Sequence, residues 1–186
     1  MALARVVTSM APTLETERLR LRPYSEGDIA ELVPLIGARE VAATTLRIPH
    51  PYSDEDARGF LVMAQDPDKI WLAITLRREG RQIGGIGLRV EAHHQHAELG
   101  YWLGVPYWGK GYATEAGREM LRYGFRDLGL HRIFASHFSH NPASGNILRK
   151  LGMRYEGCQR EHLRKWDRFV DSELYGLLRD EWEARE

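Results

Sequence analysis

Apolar and polar positions divide the chain into runs of strand and helix period. Residues 18–22 predict a strand, 26–36 and 54–65 predict helices, and 70–77 and 82–90 predict two strands joined by the turn Arg78-Glu79-Gly80-Arg81. His93-His94-Gln95-His96 makes a second turn. It leads into the apolar and aromatic strand Ala97-Glu98-Leu99-Gly100-Tyr101-Trp102-Leu103, which Gly104-Val105-Pro106 ends. Downstream, Ala113, Ala116, Gly117, Met120, Leu121, Gly124 and Phe125 recur at helical spacing, so this helix buries one narrow face with small residues near its start. It closes at Gly129. A strand over 131–138, a helix over 143–151 and two terminal strands over 154–161 and 169–178 complete the order, and Asp66-Pro67-Asp68 punctuates the chain. Helices and strands mixed in this way imply an α+β or α/β fold with a mixed sheet.

Between the aromatic strand and the small-residue helix lies Tyr107-Trp108-Gly109-Lys110-Gly111-Tyr112-Ala113-Thr114. Closely spaced glycines let backbone N–H groups crowd around an anion, and the following helix aims its unpaired amides at the same spot. The segment therefore predicts a phosphate cradle. It is not the ATPase loop, because Lys110 sits between the glycines and is followed by Gly111, and it lacks the third glycine of the dinucleotide fingerprint. Its alternative is a strand-to-helix turn that uses glycine only to change direction.

These residues resemble the GNAT superfamily of N-acetyltransferases, whose cofactor loop Q/R-x-x-G-x-G/A falls here on Trp108 to Ala113, with Trp108 in place of Gln or Arg. Asn141-Pro142-Ala143-Ser144, Lys150-Leu151-Gly152-Met153, Pro49-His50-Pro51-Tyr52-Ser53 and the stretch from Asp171 to Trp182 are similar to the branch containing bacterial ribosomal-protein N-terminal acetyltransferases. The resemblance covers about residues 16–182. It implies an acyl-CoA N-acyltransferase fold, α+β with a mostly antiparallel sheet, flanking helices and a splayed strand pair. It also implies acetyl-CoA as cofactor, held by Leu103, Trp108, Gly109, Lys110, Gly111, Tyr112, Ala113, Thr114 and Asn141. The expected reaction moves an acetyl group to a primary amine, foremost a protein N-terminal α-amine. The alternatives are a small amine such as a polyamine, antibiotic or metabolite, or a non-catalytic acyl-CoA sensor.

Length and composition fit one domain over residues 1–186, with residues 1–12 a loosely ordered N-terminus. The 26 basic and 26 acidic side chains cancel, so no global charge footprint points to nucleic acid or an anionic membrane. No run approaches the roughly 18 apolar residues of a membrane span, and the start lacks a signal-peptide core. A cytoplasmic monomer or homodimer is expected. The single cysteine, Cys158, excludes an internal disulfide framework and is expected to pack as a small apolar residue.

Acetyl transfer from a thioester to an amine needs a neutral amine and a proton for the leaving thiolate. The family places a carboxylate near the substrate amine, and Glu98 is that candidate; desolvation in its apolar strand would raise its pKa toward a useful value. As an alternative, it is an outward glutamate on a half-exposed strand. Many GNAT enzymes donate the thiolate proton from a tyrosine seven residues beyond the Asn, but Leu148 occupies that position. Ser144 is the nearest hydroxyl and resembles the serine proposed for this role in the ribosomal-protein branch, unless it is a helix cap. Asn141 is expected to hold a cofactor carbonyl or amide, or to start a turn. By the same resemblance, His50 and Tyr52 sit on a loop that walls the acceptor pocket, with simple loop punctuation by Pro49 and Pro51 as the alternative; Trp166, in Lys165-Trp166-Asp167, is expected to tip a terminal hairpin, where it could contact substrate or a second subunit. His93, His94 and His96 lack a partner ligand set, so no metal is assigned. Gly84-Gly85-Ile86-Gly87 inside a strand indicates close packing or a bulge.

Overall fold

The computed structural model describes residues 11–66 and 69–185. The N-terminal expectation for residues 1–10, and Pro67 and Asp68 of the punctuating segment, lie outside the described residues; Ala11 already packs against the core. Eight strands form one sheet: β1 (Leu14–Glu15), β2 (Leu19–Pro23), β3 (Lys69–Leu76), β4 (Gln82–Glu91), β5 (His96–Leu103), β6 (Arg132–Phe138), β7 (Arg154–Lys165) and β8 (Arg168–Leu178). Their spatial order is β1-β2-β3-β4-β5-β6-β8-β7, with all neighbours antiparallel except β5 and β6.

Alternation along the central strands sends side chains to two separate cores. Leu72, Ile74, Ile86, Leu88, Ala97 and Leu99 pack with Met120, Leu121 and Phe125 beneath α4 (Tyr112–Arg122) and with Leu148 and Leu151 of the α5 region (Pro142–Lys150). The opposite face is covered by α1 (Ile29–Ile36), α2 (Arg39–Ala43) and α3 (Asp54–Met63), where Leu32, Ile36, Val41 and Ala57 form a smaller core with Tyr24, Phe60 and Trp102 around it. The start of α3 is fixed locally: Ser53 Oγ accepts from Asp56 N–H at 3.2 Å, while the Asp56 carboxylate accepts from Ser53 N–H at 2.8 Å, a reciprocal cap. The predicted small-residue face of α4 is buried as expected, and a Cβ on Gly117 would come within 2.7 Å of Leu151.

Four features depart from the sequence expectations. The α4 helix runs on into a π-turn over Tyr123–Asp127, short helices form at Arg39–Ala43 and Arg179–Glu183, and β7 extends past residue 161 to Lys165 because β8 pairs with it to the hairpin tip. Cys158 is exposed on β7 and is not packed. The glycine run of β4 combines both expected roles: the β3 register shifts between Ile74 and Thr75, and rings lie directly on Gly85 and Gly87.

Candidate active site

Parallel pairing between β5 and β6 covers only His96 with Arg132, Ala97 with Ile133 and Glu98 with Phe134. Beyond Glu98 the strands part. β5 stays paired to β4 as far as Leu103 opposite Gly84, and β6 to β8 as far as Phe138 opposite Ser172, so the expected slot opens between them. A cleft of about 1120 Å³ follows this slot, lined by the cradle loop at one end and by residues of α3 and the 44–49 loop at the other.

Gly111 is the N-cap of α4 with φ +81°, and Gly109 has φ +73°, so two left-handed residues wrap the chain around the helix start. No side chain caps α4, which leaves its first amides facing the cleft where Gly109, Gly111, Tyr112, Ala113 and Thr114 line it. An ideal Cβ on Gly109 meets no atom within 4 Å, so the loop presents open backbone to an incoming group. Residues outside the loop hold it. Trp108 Nε1–H donates to the Leu103 carbonyl at 2.7 Å, and Arg18 donates to the Lys110 carbonyl at 3.1 Å while its Nε binds Glu115 at 2.6 Å. Burial alone would push the Glu115 carboxyl up, but Thr16 Oγ1–H, Arg18 N–H and the Arg18 guanidinium hold it below the usual range. The Lys110 ammonium turns away over the Tyr107 ring at 5.7 Å and does not line the cleft. This open, uncapped backbone suits the pyrophosphate of an acyl-CoA.

Alternation puts Glu98 and Tyr101 on opposite faces of β5. Glu98 faces the α3 side, where it ion-pairs with Arg89, its direct cross-strand partner on β4. The isolated carboxylate in apolar surroundings that the sequence suggests is therefore a paired one. Tyr101 faces the α5 side, where its hydroxyl lies 2.6 Å from Ser144 Oγ. Burial, opposed by that hydrogen bond, pushes the Tyr101 hydroxyl up to about 12, so it keeps its proton through neutral pH. Asn141, not Ser144, caps α5: its Oδ1 accepts from Ser144 N–H at 3.3 Å. The cap leaves the Ser144 hydroxyl free for Tyr101. Leu148 is fully buried in the main core, so its position cannot serve the slot.

The far end of the cleft is aromatic. Tyr24, Tyr52, Phe60, Trp71 and Trp102 line it together with Leu46 to Pro49. Lys165, buried at the end of β7, donates to the carbonyls of Leu46 at 3.3 Å and Ile48 at 2.8 Å and so pins this loop; burial pushes its pKa down. Of the predicted acceptor residues, Tyr52 lines the cleft, whereas His50 Nδ1–H donates to the Gly37 carbonyl (3.0 Å) and Trp166 packs against Arg39 and Lys165 away from it. Tyr101, Arg89 and Lys165 escaped the sequence reading. The two-residue period of β5 signals that Tyr101 faces away from Glu98, but its partner stands 43 residues downstream. Among the described residues, no cluster of three or more His, Cys, Asp or Glu side chains could hold a metal, and no helix is long and apolar enough to cross a membrane.

Comparison with known proteins agrees with this geometry. Residues 18–154 match the acetyltransferase (GNAT) domain family. The chain is 31% identical over 175 residues to the uncharacterized N-acetyltransferase YoaA of Bacillus subtilis, covering 91% of this chain and 98% of that one. It is 36% identical over 84 residues to the ribosomal protein uS5-alanine N-acetyltransferase of Escherichia coli, covering 45% of this chain and 43% of that one. A crystal structure of a GNAT-family acetyltransferase from Bacillus anthracis superposes with a TM-score of 0.83 at 25% identity, covering 91% of this chain and 99% of that one. With a slot, an uncapped helix start and a family match over most of its length, this chain belongs to the GNAT family of acetyltransferases.

Proposed function

We propose that the chain transfers an acetyl group from acetyl-CoA to the α-amino group of a protein N-terminus, working as a single GNAT domain. The observation that carries this reading is the placement of Glu98 on one face of β5 and of Tyr101 with Ser144 on the other, which suits a base and an acid kept apart. The loop of residues 109–114 holds the pyrophosphate, and acetyl-CoA supplies the activated acetyl thioester. Asn141, whose Oδ1 is taken up by the cap, keeps its amide N–H groups for a carbonyl of the cofactor arm. Glu98 removes a proton from the acceptor ammonium through a water. Ser144 Oγ–H gives its proton to the leaving thiolate and takes one from Tyr101 Oη–H, and Tyr101 is reprotonated through solvent by a proton that the acceptor nitrogen sheds on forming the amide.

The choice of an α-amine rests on proton supply and charge. An α-amine of pKa about 7.7–8.0 is about a tenth neutral at pH 7, whereas a lysine at about 10.4 costs a further 3–4 kcal/mol to deprotonate. A water-relayed carboxylate suits the first. A polyamine would call for free carboxylates, yet Asp56 already accepts from Ser53 and Glu98 is paired with Arg89, and Arg47 and Lys150 add positive charge to the cleft wall. The sensor alternative is motivated by Leu148 and by the lack of an assigned acid; the Tyr101–Ser144 hydroxyl pair offers a candidate acid and so favours turnover. Coenzyme A release assayed with a free N-terminal peptide, its N-acetylated form, a lysine side-chain peptide and spermidine tests the reading. Release that needs the free N-terminus supports it; release with spermidine or lysine alone overturns it.

A further inference from the structure

The α3 face of the sheet carries three successive cross-strand rows: Lys69, Arg89 and Glu98; then Trp71, Gly87 and Gly100; then Ala73, Gly85 and Trp102. Rows on one face are two residues apart, about 6.6–6.8 Å along the strand. The first row is charged and ends at the start of the slot. The next two have no charged member. Indole rings need the missing side chains of the glycines, because a Cβ on Gly87 would stand 2.3 Å from the Trp71 ring, and one on Gly85 would stand 2.0 Å from Tyr24 Oη and 2.6 Å from Trp102 Nε1. Phe60 closes the wall edge-on, with its centroid 5.0 Å from Tyr24 and 6.4 Å from Trp71. Gly100 differs from the other two. A Cβ there would sit 3.6 Å from Trp71, at ordinary contact distance, so its backbone floors an open pit between Glu98 and Trp102.

We propose that this pit takes the side chain of the acceptor's first residue and selects N-termini that begin with a large apolar side chain, aromatic or branched aliphatic, over alanine or serine. The inference rests on the N-terminal reading above. An amine that meets Glu98 has its own side chain one row along the strand, over Gly100 and beside the Trp71 and Trp102 side chains. Apolar area buried there favours Phe or Leu, and the indole N–H groups of these rows do not reward the Ser hydroxyl, because Trp71 Nε1 is buried in the wall and Trp102 Nε1 is turned to Tyr24 beside Gly85. The two inner rows themselves offer no carboxylate to a second positive charge on the acceptor.

The test uses peptides that differ only in residue one (Phe, Leu, Ala or Ser), with spermidine as a further acceptor, and measures kcat/KM for the full chain. Phe and Leu are expected to exceed Ala and Ser by about tenfold or more, the range that small differences in an apolar pocket produce. Gly100→Val, which fills the pit, is expected to bring the four peptides within about threefold of one another, the Phe and Leu values falling most. Gly100→Ala, which adds only an ordinary contact, is expected to narrow the preference partway and guards against a fold lost by the larger change. Equal kcat/KM across the peptides in the unmodified chain, or an undiminished Phe preference in a folded Gly100→Val, overturns the inference while the N-terminal reading stands. Acetylation of spermidine with none of the peptides turned over overturns both.

Discussion

The Tyr101 hydroxyl lies 2.6 Å from the Ser144 hydroxyl, joining β5 to the first turn of α5 beside the slot. Tyr101 and Glu98 lie on opposite faces of β5, so on the proposed assignment the two proton tasks of acetyl transfer are separated by the thickness of one strand. If the pair supplies the leaving-side proton, Ser144→Ala is expected to lower kcat by about 10²-fold, the lower end of general-acid effects, and Tyr101→Phe by somewhat less. Cofactor affinity measured by calorimetry should hold. Because burial pushes Tyr101 up to about 12, it stays protonated at working pH, and the ratio of wild-type to Tyr101→Phe kcat is expected to be flat from about pH 6 to 9. A ratio that changes tenfold across that window would show that another group gives the proton.

Gly111 holds φ +81° at the head of α4, a conformation that strains any L side chain by roughly 1–2 kcal/mol. Gly111→Val is expected to weaken cofactor binding at least about tenfold in calorimetry, through that strain and through a side chain placed where the phosphate approaches. Lys110→Ala is expected to stay within about twofold, since its ammonium lies over Tyr107. The reverse ranking would move the anion site from backbone to side chain.

Glu98→Gln keeps an oxygen for Arg89 but removes the base. Its turnover is expected to fall at pH 7 and to recover as pH rises past the acceptor's own pKa, nearly completely by about pH 9 for an α-amine and only near pH 11 for a lysine-like amine. A loss that stays constant with pH would make Glu98 a positioning residue.

Arg22 clasps Asp28 through two bonds of 2.5 and 2.8 Å at the entry to α1, with the Asp28 side chain almost fully covered. Burial alone would push the Asp28 carboxyl up, but the Arg22 guanidinium and the Ser25 N–H together hold it below the usual range. A depressed carboxylate stabilises the fold above its unfolded pKa of about 3.9, and the contribution is lost as pH falls through the folded value. Arg22→Met is expected to cost about 3 kcal/mol at pH 7 in urea unfolding. That gap should shrink as pH falls below the usual carboxylate range and Asp28 protonates; a gap independent of pH would make it a packing effect.

Much of this protein is written locally in its chain. The period-two run of β2, the continuous apolar run of β3, the spaced apolar residues of α4 and the Gly109–Gly111 pair are each decided by neighbours within a few residues, so alternation, apolar runs, helical spacing and glycine chemistry foretell them. Even the parting of β5 and β6 was expected, from the resemblance those local patterns carry. Tertiary structure alone decided the pairings. Arg89 meets Glu98 only because the β4–β5 register sets them opposite, and Tyr101 meets Ser144 only because α5 returns beside the slot. Lys165 reaches the 46–48 loop across more than a hundred residues, while His50 and Trp166, plausible by position, turn to other partners. A residue's type and period fix the face it presents, but what stands opposite that face is set by register and packing between distant segments, which no local pattern encodes.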